Sequence, residues 1–319
     1  MASARRRRLL QAGAALLGGA SLQRAQAMTP AAPAAPAAPG LPAVETGRIE
    51  RLADFASRHV AARHVDVWLP EGFAADGSHA VLYMHDGQML YDARTTWNKQ
   101  AWNVQTVAGA LQAQRRVRPF IVVGAWNTGP TRFAEYFPQR FTDHLAPGPA
   151  RDVLLQRAAM GPVRSDAYLR FLVEELKPAI DARYRTRPGH EHAAVAGSSM
   201  GGLISLYALT EHPQVFGGAA CLSTHWIGYF ERNTEVPAAA LAYLRQHLPP
   251  PGRHRLYMDR GTTELDALYD QAQEQVDALM REKGFGPPTF DTRVFEGSGH
   301  NERAWAERLH IPLLHLLGR

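Results

Sequence analysis

The sequence predicts an α/β fold, a mostly parallel sheet with helices on both faces, and three observations carry that prediction. Short apolar runs alternate with helix-length segments from residue 63 to near the end of the 319-residue chain. Most of these runs are apolar throughout, as strands buried on both faces are. One of them, His192-Ala193-Ala194-Val195-Ala196, feeds a glycine-flanked serine turn and then the apolar segment Leu203-Ile204-Ser205-Leu206-Tyr207-Ala208-Leu209.

The elements follow in order. Residues 63–69 alternate polar and apolar and read as an outer strand stopped by Pro70. Residues 80–84 and 120–126 read as buried strands, and 217–222, 255–258 and 292–295 complete the strand set. Residues 165–184 form the clearest helix, with Leu172, Leu176, Ile180 and Tyr184 recurring every four positions and Ser165 as its cap. A helix over 201–210 stops before His212-Pro213, and further helices are expected over 237–246 and 267–283. Residues 127–164 are rich in Arg, Pro and Phe and weakly periodic, and read as an insertion over the site rather than a domain. The folded domain is expected to span 45–319, with no internal repeat.

The ends of the chain have a different character. Residues 1–27 carry Arg5, Arg6, Arg7, Arg8 and Arg24 with no acid, then an apolar stretch and a small-x-small Ala25-Gln26-Ala27. They read as an export signal of the twin-arginine type, which puts the mature protein in the periplasm or outside the cell. The same arginines supply the whole net charge of +5, so the remainder is neutral and offers no electrostatic case for nucleic acid or an anionic membrane as partner. Residues 28–44 form a Pro/Ala tract expected to be an extended tether. The single cysteine, Cys221, cannot form an internal disulfide.

The chemistry centres on Gly197-Ser198-Ser199-Met200-Gly201, a G-x-S-x-G nucleophile elbow. The strained turn sets the Ser199 hydroxyl clear of the sheet, and Gly197 and Gly201 let it close. A serine hydroxyl needs an imidazole to take its proton and a carboxylate to orient that imidazole. His300 sits in the glycine-rich loop after the last expected strand, and Glu264 or Asp266 follows the strand before it. Asp266 could also cap the helix beginning at 267. The oxyanion needs two amides: that of Met200, directly after the nucleophile, and that of Gln88 or Gly87 in the His85-Asp86-Gly87-Gln88 loop. Aromatic residues in loops at the carboxyl end of the sheet, among them Tyr91, Trp126 and Trp226, are the candidates for substrate contact.

Taken together, the His85-Asp86-Gly87-Gln88 segment, the elbow, Asp259 to Asp266 and Gly299-His300-Asn301-Glu302 resemble the putative esterase family of α/β-hydrolases. That group includes enterochelin esterase-like proteins, esterase D, feruloyl esterases and the antigen 85 mycolyltransferases. The resemblance runs from about residue 60 to 315 and implies an α/β-hydrolase fold with Ser199 as nucleophile, His300 as base and, in the relatives most like this chain, Asp266 as the acid. It also implies the Gln88 and Met200 amides as the oxyanion hole, no metal or organic cofactor, and a small-molecule ester as substrate. Acyl transfer to an alcohol and non-catalytic binding are the competing readings.

Overall fold

The computed structural model describes residues 40–157 and 162–319. The expected export signal and residues 28–39 of the tract lie outside them. In chain order the regular elements are β1 (Arg48–Phe55), β2 (Arg63–Leu69), β3 (Ala80–Met84), α1 (Val104–Ala113), β4 (Phe120–Ala125), α2 (Arg132–Tyr136), α3 (Pro149–Arg157), α4 (Ser165–Arg170) and α5 (Lys177–Tyr184). There follow β5 (Ala193–Ser198), α6 (Met200–Glu211), β6 (Gly218–Leu222), α7 (Glu235–His247), β7 (Arg255–Gly261), α8 (Asp270–Glu282), β8 (Phe290–Phe295), α9 (Glu302–Arg308) and α10 (His310–Leu317).

Among the described residues the eight strands form one sheet of order β1-β2-β4-β3-β5-β6-β7-β8. β2 runs antiparallel to both β1 and β4, and every later pair is parallel. This is the α/β-hydrolase arrangement that the sequence predicts. The period-two alternation of each strand splits its side chains between two apolar layers. Val81, Tyr83, Ile121, Val123 and Val195 face a core completed by α4 to α8. Leu82, Met84, Phe120, Val122 and Ala196 face a second core completed by α1, α9 and α10. Both faces of the central strands β3 to β6 are covered, so these strands carry no solvent-facing polar stripe.

Several expectations need correction. Residues 63–69 are not the outer strand: β1, absent from the sequence reading, pairs outside them. The polar half of the β2 alternation is buried and ion-paired rather than solvated. Arg63 binds Glu135 of α2 at 2.8 and 2.9 Å, and Asp66 takes Arg51 of β1 at 2.6 and 2.8 Å. β1 itself carries Arg48, Glu50, Arg51 and Asp54, which suits an exposed edge but hides its strand pattern. Helix α1 also went unread.

Ser165 does not cap its helix. It is the first helical residue, and its hydroxyl accepts a bond from the Gln139 amide at 2.7 Å. Between α4 and α5 the chain makes a π-type turn over Phe171–Leu176. An apolar repeat of four drifts about 40° per step on a 3.6-residue helix, and the wider turn absorbs that drift. The fold also begins slightly before residue 45, because Val44 packs on the second core and the Ala43 amide donates to Asp92. Residues 127–157 contribute Tyr136, Phe137, Phe141 and Leu154 to the first core, so this segment is packed into the domain. No helix among the described residues is long and apolar enough to cross a membrane.

Candidate active site

The elbow stands between β5 and α6. Ser199 has φ 57° and ψ −123°, a positive-φ conformation rare for a residue with a side chain. Its amide donates to the Leu222 carbonyl at 2.9 Å, which fixes the turn to β6. Gly197 is obligatory: a Cβ there would lie 2.8 Å from the Gly201 backbone. Gly201 is not required in the way the sequence suggests. A Cβ at 201 would meet Asp86 Oδ2 and His85 Cβ at 3.5 Å, an ordinary packing distance, so the turn could close with a small side chain there. Met200 is the first residue of α6, where a backbone amide has no acceptor within its own helix.

Asp266 and His300 meet across the ends of β7 and β8. Asp266 Oδ1 lies 2.5 Å from His300 Nδ1. Its other oxygen accepts the Gly261 amide at 2.5 Å and the Ser223 hydroxyl at 2.6 Å. Burial alone would raise this carboxyl, but the bond and charge of His300, with the Ser223 and Gly261 donors, bring it below the usual range. Ser223 in turn accepts from Trp305 Nε1 at 2.9 Å and Arg308 at 3.0 Å. Arg308 also holds Asp259 through two bonds of 3.0 and 3.1 Å. The His300 ring is flanked edge-on by Trp305 and Tyr269, with centroids at 5.1 and 5.7 Å.

The second candidate acid does something else. Glu264 is on the same short 3-10 turn but accepts the backbone amide of His300 at 2.7 Å and the Asn301 side chain at 3.2 Å. Asp266 is not a helix cap, since α8 starts at Asp270 with Tyr269 before it. Tyr269, which no sequence signal marked, hydrogen bonds to His225 Nδ1 at 2.6 Å.

On the other side of Ser199 lies the loop after β3. Gly87 opens a 3-10 turn, Gly87–Met89, and a Cβ on it would lie 2.3 Å from the Gly124 carbonyl oxygen of β4. Gln88 is tied by its side chain, which accepts the Asn127 amide at 3.1 Å.

These groups open onto one cavity of about 1170 Å³, lined by Gln88, Ser199, Met200, His300 and Trp126 among others. Trp97 and Phe230 stand on its wall with most of their surface exposed. Tyr91 and Trp226 are not on it. Tyr91 is buried with its hydroxyl toward the Asp66 carbonyl, and Trp226 is buried with Nε1 donating to Gln273 at 2.8 Å. Both sit in loops by sequence yet point into the core. Arg132 and Phe133 of α2 also line the cavity and escaped the sequence reading, because their segment shows no clear period.

The Putative esterase family matches residues 59–316. Uncharacterized protein YbbA of Bacillus subtilis strain 168 is 22% identical over 272 residues, covering 82% of this chain and 96% of that one. An endo-1,4-beta-xylanase/feruloyl esterase of Xylanibacter ruminicola is 24% identical over 192 residues, 56% of this chain but 22% of the much longer relative. Among solved structures, a ferulic acid esterase superposes with TM-score 0.61 at 18% identity, covering 85% of this chain and 98% of that one. The enterobactin esterase FES of Shigella flexneri gives TM-score 0.62 at 18% identity over 88% of this chain and 60% of its own. At such identities the superpositions speak for the fold, and the family match over most of the chain speaks for membership. The chain belongs to the Putative esterase family and is an ester hydrolase.

Proposed function

We propose that the protein is a serine carboxylic-ester hydrolase working through an acyl-Ser199 intermediate. Ser199 Oγ attacks the ester carbonyl while His300 Nε2 takes its proton. Asp266 keeps the proton of His300 on Nδ1 and stabilises the imidazolium. The carbonyl oxygen, now carrying the negative charge, is received by the amides of Met200 and Gln88, each of which is worth about 10²–10³ in rate in sites of this kind. The proton on His300 passes to the departing alcohol. Water, deprotonated by the same imidazole, then releases the acid and restores Ser199.

The observation that carries this reading is the 2.5 Å contact between Asp266 and His300 beside a cavity that also takes in the positive-φ serine. The aromatic wall favours acids or alcohols with a flat or ring-shaped face, such as aryl, sugar-linked or siderophore-type esters. The arginine-led segment 1–27 fits export to the periplasm or beyond. The test is turnover of a panel of aryl and sugar esters by the wild type and by Ser199→Ala, with fluorophosphonate labelling of the folded protein. Labelling at Ser199 and loss of turnover in the variant are expected, whereas equal turnover by both proteins would end the proposal.

A further inference from the structure

We propose that the Asp86–Arg132 ion pair is a clamp that sets the oxyanion loop, making Arg132 a positioning residue for ester cleavage. The inference rests on the hydrolase reading above, with the Gln88 amide as an oxyanion donor.

Asp86 directly precedes Gly87 and Gln88. It sits at φ 57° and ψ 45°, a left-handed conformation that a residue with a side chain keeps only when its surroundings hold it there. An Asp-Gly pair in an ordinary turn would spend its carboxylate on water or on its own backbone. Here the carboxylate is buried and every side-chain partner comes from one segment. Arg132 Nε reaches Oδ1 at 2.8 Å and Nη2 reaches Oδ2 at 2.6 Å, a two-pronged fork. Asn127 Nδ2 adds a third bond to Oδ1 at 2.7 Å. The Asp86 amide donates to the Tyr136 hydroxyl at 3.2 Å, and the Gln88 side chain accepts the Asn127 amide. Residues 86 and 88 are therefore both pinned to residues 127–136, while Gly87 is pressed against β4.

The pair also solves a charge problem. A methyl group on residue 201 would touch Asp86 Oδ2, so this carboxylate sits against the start of α6, next to where an oxyanion would form. Unpaired, it would oppose that charge. Burial pushes the carboxyl up, but the Arg132 charge and hydrogen bonds more than offset it, so the pair is ionised and nearly neutral as a unit. Arg132 thus supplies both the geometry of the loop and the cancellation of a misplaced charge, without taking a proton or contacting Ser199.

The test is kinetic. Arg132→Met is expected to lower kcat on an aryl ester about 30- to 300-fold, the scale of losing one oxyanion donor, with KM within about threefold. An aryl boronic acid, which becomes tetrahedral on the serine, should lose affinity in parallel with kcat/KM. Arg132→Lys keeps the charge without the fork and is expected to recover less than tenfold. Should the methionine variant fail to fold by circular dichroism, Asn127→Ala leaves the fork but removes the third bond to Asp86 and is expected to lower kcat about three- to tenfold. A folded methionine variant with kcat within threefold of wild type, a loss confined to KM, or full rescue by lysine would each overturn the clamp. A wild type that fluorophosphonate does not label at Ser199 would overturn the hydrolase reading and the clamp with it. Labelled wild type beside an unaffected Arg132 variant overturns the clamp alone.

Discussion

The two flanks of Ser199 are built differently. On one side Asp266 draws its partners from the sheet: Gly261 from the end of β7, Ser223 just past β6, and His300 just past β8. A second buried pair, Asp259 with Arg308, backs them up. On the other side Asp86 also leaves a strand end, but its side-chain partners belong to residues 127–132 of the covering segment. The half proposed to do the acid–base work is thus held by the scaffold, and the half proposed to receive the oxyanion draws its side-chain partners from residues 127–132. Changes in the covering segment should reach the second and spare the first.

The largest effect expected from this contrast falls on the scaffold side. Asp266→Asn should lower kcat by about 10⁴, because an amide facing Nδ1 favours the tautomer that cannot accept the serine proton. Glu264→Gln should cost less than about tenfold, since this side chain accepts a backbone amide and the half-buried Asn301 side chain and has no bond to the imidazole nitrogens. Steady-state kinetics of both variants on one aryl ester decides between them. Equal losses would mean that the two carboxylates share the orienting role and that the scaffold side is less autonomous than its hydrogen bonds imply.

The next effect belongs to the Asp86 side and is read in stability. His85, one residue before Asp86, is buried, with Nδ1 2.9 Å from the Tyr168 hydroxyl and no partner for Nε2 among the described residues. Burial pushes its pKa down to about 3, with Asp86 pulling upward and Arg132 pushing down. The unfolded chain takes up this proton near pH 6.5 and the folded one only near pH 3, so the stability it contributes is lost as pH falls through that window. The slope is about 1.4 kcal/mol per pH unit, or about 3 kcal/mol between pH 6.5 and 4. Asp86 and Asp266 are both depressed, so their contribution holds above about pH 3.8 and fades only below it. His79, His192, His212 and His315 are lowered as well, so the readout is the difference between wild type and His85→Gln in urea unfolding from pH 7 to 4. Parallel curves would show that His85 is solvated in the folded state.

The same contrast explains what the sequence could and could not reveal. Strands β3 to β6 and the elbow were legible because buried parallel strands are apolar throughout and the turn demands Gly197, whereas β7 and β8 showed only in part because Asp259, Arg260, Asp291 and Arg293 interrupt their apolar runs. The flanking glycines singled out His300, which the fold brings against Asp266. Asp266 and Glu264 were not separable by spacing, because a 3-10 turn sends side chains two residues apart in different directions and only one of them faces the imidazole. Arg132 was invisible: its partner lies 46 residues earlier, in an Asp-Gly pair that reads as an ordinary turn. β1 was missed for its edge charges, and β2 was misplaced because Arg63 and Asp66 look solvated while being paired in the interior. Local pattern reports burial well. It does not report which buried charge meets which.

The smallest effect is expected at the rim, where neither flank is involved. Trp97 lines the cavity yet is 83% exposed, so it gains little from folding in the free protein. Its neighbour Asn98 donates to Glu302 at 2.7 Å, which fastens this loop to the start of α9 close to His300. An indole held in place but left unpacked is suited to close on a ring of the substrate. Trp97→Ala should therefore leave the melting temperature almost unmoved and raise KM for an aryl ester about three- to tenfold, the range of one aromatic contact, with kcat nearly unchanged. Trp126 is the useful contrast. It is half-buried, bonds Asp66 at 2.9 Å and lies under Arg51 at 4.7 Å, so Trp126→Ala should lower the melting temperature as well as binding. If Trp97→Ala instead lowered the melting temperature and left KM alone, the exposed indole would be packing against the fold in solution, and the rim would have to be redrawn as part of the scaffold.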